Sequence, residues 1–485
     1  MSIALKYFIA IAALLASSVQ AVPPKPNIIL VITDDQGMGD LSCMGNEVLR
    51  TPHLDSFYRK STRFTDFQVS PTCAPTRAAI MSGRPPFKVG VTHTILQRER
   101  MAPDVFTLPQ ALQTADYETG IFGKWHLGDE DAYLPFNRGF DEALIHGAGG
   151  IGQVNLGDFV ANGENSYFDS VLMHNDTIVK TKGYCTDLFF EAGLKWVKKQ
   201  HEAETPYFAY ISLNAPHAPM IVPEKYSKRF RDLGYDAGTA GRYGMVENID
   251  ENFGRMMKKL KRWEALENTL VIFMTDNGGT HLSGRLNGEP VKHFNAHLRG
   301  GKNSPYEGGT HVPSFWQWKG VLGEGVDIDG LTAHLDLYPT FCELAGVELP
   351  EEMQKLDGRS LVPLLQDANA PWEDRMLFVH CGRWNPGKIE EAKYQKCAVR
   401  TERWRFVNNT ELFDISVDPG ETTDVAASHP EVVEELRRAF DAWWESALPL
   451  MVNEGLPKID EHPLHLRYEK QIAEKGIPEW SPDDI

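Results

Sequence analysis

Four short apolar runs, each stopping at polar side chains of the kind that do chemistry, constrain this chain more than any other feature. Residues 27–33 read Asn-Ile-Ile-Leu-Val-Ile-Thr and stop at Asp34-Asp35-Gln36-Gly37. Residues 206–213 read Pro-Tyr-Phe-Ala-Tyr-Ile-Ser-Leu and stop at a loop in which Pro216 and Pro219 flank His217. Residues 269–275 read Thr-Leu-Val-Ile-Phe-Met-Thr and stop at Asp276-Asn277-Gly278-Gly279. The fourth strand, of about five residues, lies within residues 117–128 and presents Lys124 and His126. Uninterrupted apolar runs suit strands buried on both faces, as in parallel sheets covered by helices. In open α/β sheets, ligands bind outside the carboxyl ends of the strands. The four polar ends are therefore expected to share one site.

Each end also has a plainer reading. Asp34-Asp35 fits a turn with an N-cap for the next helix, and His126 fits a hydrogen-bonded core histidine. Lys124 weighs the other way, because lysine is rarely buried without a partner. Adjacent carboxylates at a buried strand end repel each other unless a cation is present. Asp34, Asp35, Asp276 and Asn277 make an all-oxygen set, which suits calcium or magnesium rather than zinc or copper.

A second stretch, Pro71-Thr72-Cys73-Ala74-Pro75-Thr76-Arg77 running on to Gly83-Arg84, reads as a helix start. Pro75 suits the first helical position and Gly83 the stop. Cys73 then sits at a helix N-terminus, where negative charge is favoured, with Arg77 on nearly the same face. The plainer reading is a buried free cysteine and a surface arginine.

Composition narrows the function classes. A net charge of −18 over 485 residues argues against nucleic acid or an anionic membrane as partner. Residues 1–21 carry Lys6, an apolar core at 8–16 and a small-residue end, as a secretory signal peptide does. Nine apolar residues are too few to span a bilayer, and no other segment approaches a span. The mature protein is expected to be periplasmic or secreted. Six cysteines do not make a disulfide scaffold, although Cys381 and Cys397 could staple a hairpin. Asn175 and Asn408 head Asn-x-Thr glycosylation acceptors, usable only in a eukaryotic host.

The motifs together resemble formylglycine-dependent, arylsulfatase-like sulfatases of the alkaline phosphatase superfamily. The resemblance rests on Cys73-x-Pro75-x-Arg77, on Tyr117 to Gly128 around Gly123-Lys124, on Gly300-Gly301-Lys302 with Glu307-Gly308-Gly309, and on the 245–263 helix, where Asp250 reads as structural. Asp116 and His311 depart from the pattern; Arg is more usual at the latter. The resemblance implies an α/β sandwich with a large, mostly parallel central sheet flanked by helices. It also implies a smaller C-terminal subdomain with an antiparallel sheet and a helix. The expected domains are a catalytic one over 22–370 and a subdomain over 371–485.

For the site, the resemblance implies a calcium ion, one per chain and less fittingly magnesium, held by Asp34, Asp35, Asp276, Asn277 and the modified Cys73. A maturase would oxidise Cys73 to formylglycine (3-oxoalanine), whose hydrate is the nucleophile. Arg77, Lys124 and Lys302 would neutralise the sulfate, and Asp276 would take the nucleophile's proton. His217, helped by Lys302, would protonate the leaving group, and His126 would act as base on the second hydroxyl. The implied reaction is sulfate monoester hydrolysis, with a sulfated extracellular carbohydrate as substrate. His93, Arg98, Arg100, His293, His297 and Arg299 are candidates for contacts beyond the sulfate, or solvated loop charges. A phosphonate or phosphate ester hydrolase, and a silent sulfated-glycan binder, remain as alternatives.

Overall fold

The computed structural model describes residues 25–485 except 161–164, 351–352, 354 and 458; the expected signal peptide lies outside them. Ten strands form the main sheet: β1 (Asn27–Thr33), β2 (Thr62–Phe64), β3 (Glu118–Lys124), β4 (Glu142–His146), β5 (Val171–His174), β6 (Thr177–Lys180), β7 (Tyr207–Ser212), β8 (Thr269–Thr275), β9 (Ser314–Trp318) and β10 (Asp327–Ile328). Their order is β10-β2-β9-β8-β1-β7-β3-β4-β5-β6. The five central strands, β8 to β4, run parallel. On either side β9 and β5 turn antiparallel.

The apolar runs are explained by what covers them. Along β1, Ile28, Leu30 and Ile32 pack into one layer with Ala78, Leu108 and Phe341. Ile29 and Val31 pack into the other, with Phe189, Trp196 and Phe253. With both faces buried, the inner positions 28–32 are all apolar, and the polar Asn27 and Thr33 stand at the strand's ends.

Three helices bear on the site. The first, α1 (Cys73–Ser82), is buried along its whole length and ends on Gly83 at φ 65. Cys73 is its first residue and Pro75 its third, so the helix begins two residues before the position expected from Pro75. The second is α2 (Cys185–Glu202). The third, α3 (Ala237–Arg262), starts eight residues ahead of the expected 245, because Asp236 caps it by accepting from Thr239 N. Asp250 on α3 accepts backbone N–H bonds from Leu54 (2.7 Å) and His53 (3.3 Å). It thereby holds the first turn of the Pro52–Arg59 helix. Asp250→Ala is expected to lower unfolding stability by about 1–2 kcal/mol, read as a lower urea midpoint at unchanged m-value.

The C-terminal part contains an antiparallel sheet of β11 (Leu377–His380), β12 (Cys397–Arg400), β13 (Trp404–Val407) and β14 (Glu411–Asp414). It is covered by α4 (Pro430–Ala447), whose Phe440, Trp443 and Trp444 pack on Val399, Phe406 and Phe87. Cys381 and Cys397 are both free thiols. The remainder of 371–485 does not stay with this sheet. Helix α5 (Pro463–Glu474) and the residues after it run back to the main sheet, where Lys180 on β6 bonds to Pro478 O and accepts from Trp480 N. Among the described residues no helix is long and apolar enough to cross a membrane.

A buried ion-pair network joins the two sheets. Glu307 lies between Arg400 (2.8 Å) and Arg405 (2.5 Å), and Arg400 also pairs with Asp66. His311 places Nδ1 3.0 Å from Glu307 and donates from Nε2 to Thr65 O. Asp66, Glu307 and His311 converge closely enough to hold a metal, but the two guanidinium groups already meet that need. The residue that departs from the sulfatase pattern is thus tied into the joint between the sheets.

Candidate active site

The carboxyl edge of the central strands gathers the polar ends. Asp34 and Asp35 follow β1, and Asp276 and Asn277 follow β8; all four are buried. Asp35 N donates to Asp276 Oδ1 (3.1 Å) and Asn277 Nδ2 to Asp35 Oδ1 (3.0 Å). Asp35 takes φ 66, which turns the chain sharply at the strand end. Burial alone would raise the Asp34 carboxyl. Lys124, its Nζ 2.6 Å from Oδ2, outweighs that and with His217 and Arg77 holds it well below the usual range. Asp276 goes the other way: burial and the neighbouring Asp34 push it well up, despite Arg77 at 3.0 Å.

Cys73 faces this edge from the first turn of α1. Oxygens of Asp34 and Asp276 and the Cys73 Sγ lie within 4.8 Å of one another. Burial disfavours the thiolate, but Lys124 and Lys302 lower the thiol's pKa overall. Arg77 donates to Lys124 O (3.0 Å), to Ser212 Oγ and to Asp276. His126 sits with Nδ1 3.4 Å from Cys73 Sγ and Nε2 2.8 Å from Thr94 O. A carbonyl only accepts, so Nε2 carries the proton. Burial, then Lys124, pushes the imidazole well below its ordinary value. His126 is therefore neutral, with its free lone pair toward Cys73. Gly149 lies against this ring: a Cβ there would fall 2.8 Å from it, so glycine suits the position.

On the open side, Lys302 Nζ lies 2.6 Å from Asp35 Oδ1. Burial works against its charge, but Asp35 raises its pKa. His217 Nδ1 bonds Ala218 O, and its Nε2 faces Asp35 Oδ2 at 3.7 Å. Cys73, Arg77, Lys124, His126, His217 and Lys302 thus meet around the four oxygen ligands.

The six candidate substrate contacts are each already engaged by a neighbour, and of them Arg98 lines a cavity beside His126. His93 is buried, accepts from Thr94 N and Ile95 N, and is pushed down to about 3 by burial and Arg98. Arg98 pairs with Glu454 and stacks on Trp384; Arg100 pairs with Glu130. His293 bonds His281 O. Arg299 lies 3.9 Å over Tyr306 and donates to Glu421 O. His297 is exposed, edge-on to Phe294. Their partners lie far off in sequence or in the backbone, so in the sequence these charges look free.

Two residues at the site were not foreseen. Ser212, the last of β7, links Arg77 to Lys124 O. Gln36 is buried and its amide makes no hydrogen bond. Each stands at a strand end already marked by its neighbours, which is the signal that could have found it.

The donor set fits a hard divalent cation. Asp34 Oδ1 and Asn277 Oδ1 are buried without a hydrogen-bond partner, which otherwise costs about 1–3 kcal/mol each. Two buried carboxylates also crowd each other there. A divalent cation would satisfy the orphan oxygens and relieve the repulsion.

Comparison with known proteins agrees with this geometry. A family model described as Sulfatase matches residues 26–347, and one described as N-sulphoglucosamine sulphohydrolase, C-terminal, matches 301–444. The N-acetylgalactosamine-6-sulfatase of Rattus norvegicus is 28% identical over 436 residues, covering 84% of this chain and 78% of its own. The uncharacterized sulfatase YdeN of Escherichia coli (strain K12) is 28% identical, covering 88% and 86%. The crystal structure of Ps i-CgsB in complex with k-i-k-neocarrahexaose superposes with TM-score 0.76 at 28% identity, covering 93% of this chain and 98% of that one.

Proposed function

We propose, from the premise that this chain belongs to the sulfatase family and is a sulfuric ester hydrolase, that it desulfates an extracellular sulfated carbohydrate with a nucleophile made from Cys73. The observation that carries this reading is the placing of Cys73 on a buried helix start between oxygen ligands and Arg77, Lys124 and Lys302. The secretory character of residues 1–21 supports the location, and the neocarrahexaose held by the solved neighbour supports the substrate class.

Asp34, Asp35, Asp276 and Asn277 would hold calcium, which when bound neutralises sulfate charge and acidifies a bound hydroxyl. Cys73, oxidised by a maturase to formylglycine and hydrated, would supply the attacking hydroxyl. Around it the residues divide the work. Arg77, Lys124 and Lys302 offset the charge that grows on the sulfate in the transition state. Asp276, with its raised pKa, is suited to take a proton. His126, neutral and aimed at position 73, is suited to act as base in the release step. His217, whose Nε2 faces Asp35 at 3.7 Å, would give the leaving alkoxide its proton.

His217→Ala is expected to lower kcat by about 10²–10⁴-fold on a sugar sulfate. The loss should be much smaller on 4-nitrophenyl sulfate, whose phenolate leaves unassisted. Equal losses on both would remove His217 from the donor role.

The function itself is tested by sulfate release from singly sulfated galactose and N-acetylgalactosamine oligosaccharides, set against matched phosphate and phosphonate monoesters. Faster turnover of the phosphorus esters would replace the proposal.

A further inference from the structure

A cavity of about 470 Å³ opens beside His126, walled by residues 94–99, 129–130, 148–149 and 155–156 and by the returning segment after 453. Its size suits a small ligand. Its charge is opposite to that of the sulfate centre. Five carboxylates line it: Glu99, Asp129, Glu130, Glu454 and Asp460. Arg98 neutralises Glu454, and Arg100 neutralises Glu130. Glu99, Asp129 and Asp460 make no ion pair among the described residues, and Glu99 Oε2 is buried without a hydrogen bond.

We propose that Glu99 and Asp129 make this cavity an anion-rejecting sugar subsite, which takes a neutral, hydroxyl-bearing part of the substrate and excludes a second sulfate or a carboxylate. The proposal rests on the sulfatase reading. Burial and Glu99 push Asp129 up to about 8, and burial raises Glu99 as well. Glu99, as a like charge near Asp129, favours the protonated form of Asp129. A sugar hydroxyl can donate to the ionised carboxylate and accept from the protonated one. An anion can do only the second, and meets like charge there. Leu96, Leu156 and Leu456 give the wall exposed apolar surface for the carbon side of a ring. Leu96 and Gln97 both hold φ near 65, a strained backbone of the sort kept at binding sites. The chain thus separates one anion, on the cationic side of His126, from neutral structure on the other.

The test compares kcat/KM for 4-(hydroxymethyl)phenyl sulfate and 4-carboxyphenyl sulfate in the wild type and in E99Q, D129N and the double variant. The wild type is expected to favour the neutral probe by about tenfold or more. The double variant should close most of that gap, through KM for the anionic probe. Neutralising a buried acid relieves repulsion, so loss of fold is not expected; melting temperatures check this. Equal handling of the two probes by the wild type, or a ratio unmoved in the double variant, overturns the proposal. No sulfate release from either probe or from the sulfated sugars would overturn instead the reading on which it rests.

Discussion

Cys73→Ala should abolish sulfate release, with a loss on the order of 10⁴-fold or more in kcat, while the protein folds as before. Cys73 is the first residue of α1 and makes no backbone-independent bond except the 3.4 Å approach to His126. Alanine fills the position and favours the helix. The companion measurement is the mass of the fragment spanning residues 64–77. Active enzyme should show the loss that converts a thiol to an aldehyde at Cys73. Protein from a host lacking the maturase should keep the thiol and be inactive. Full activity with an unmodified thiol would remove the nucleophile from the mechanism.

The second large effect concerns stability. Glu307→Ala is expected to cost about 3–5 kcal/mol, because Arg400, Arg405 and His311 would lose the buried carboxylate they share, leaving Arg400 only Asp66 and Arg405 only Glu421 at 3.5 Å. Urea unfolding measures it; a loss under about 1 kcal/mol would mean that water or rearrangement replaces the carboxylate. The pH dependence has two limbs. Burial opposes the Glu307 carboxylate, but Arg400 and Arg405 hold it well below its ordinary value. Its contribution is present above the unfolded carboxylate pKa and is lost as pH falls through the depressed one. Burial opposes the His311 imidazolium, but Glu307 raises it. That contribution is complete below the unfolded imidazole value and is lost as pH rises through the folded one. Glu421, pushed up to about 7 mainly by burial, adds a loss that runs from the ordinary carboxylate value up to neutrality and is complete there. The joint between the sheets should therefore be firmest in mildly acidic solution, and Glu307→Ala should flatten both limbs.

What could be read from the sequence followed physical scale. The central strands were legible because burial on both faces keeps the interiors of β1, β7 and β8 apolar or aromatic, with Thr33, Ser212 and Thr275 only at their ends. The convergence of the candidate site residues was legible because several of them stand at the ends of those strands. The β5–β6 hairpin was not, since its strands have four residues each and its turn, with Asn175 at φ 52, carries no glycine. The partners of the substrate candidates were hidden for the opposite reason. Arg98 and Arg299 look unpaired until Glu454 and Glu421 arrive from the far end of the chain. The role of His311 was open for the same reason, because Glu307 is its neighbour in sequence but the arginines that fix Glu307 are not.

The return of residues 478–480 to β6 has a consequence in time. During synthesis every strand of the main sheet leaves the ribosome before them. Until they dock on Lys180, the outer edge of β6 offers unpaired N–H and C=O groups to any passing strand. A chain halted in the preceding stretch would complete its reaction centre yet keep that edge open, and chaperone demand should fall only when the last residues close it.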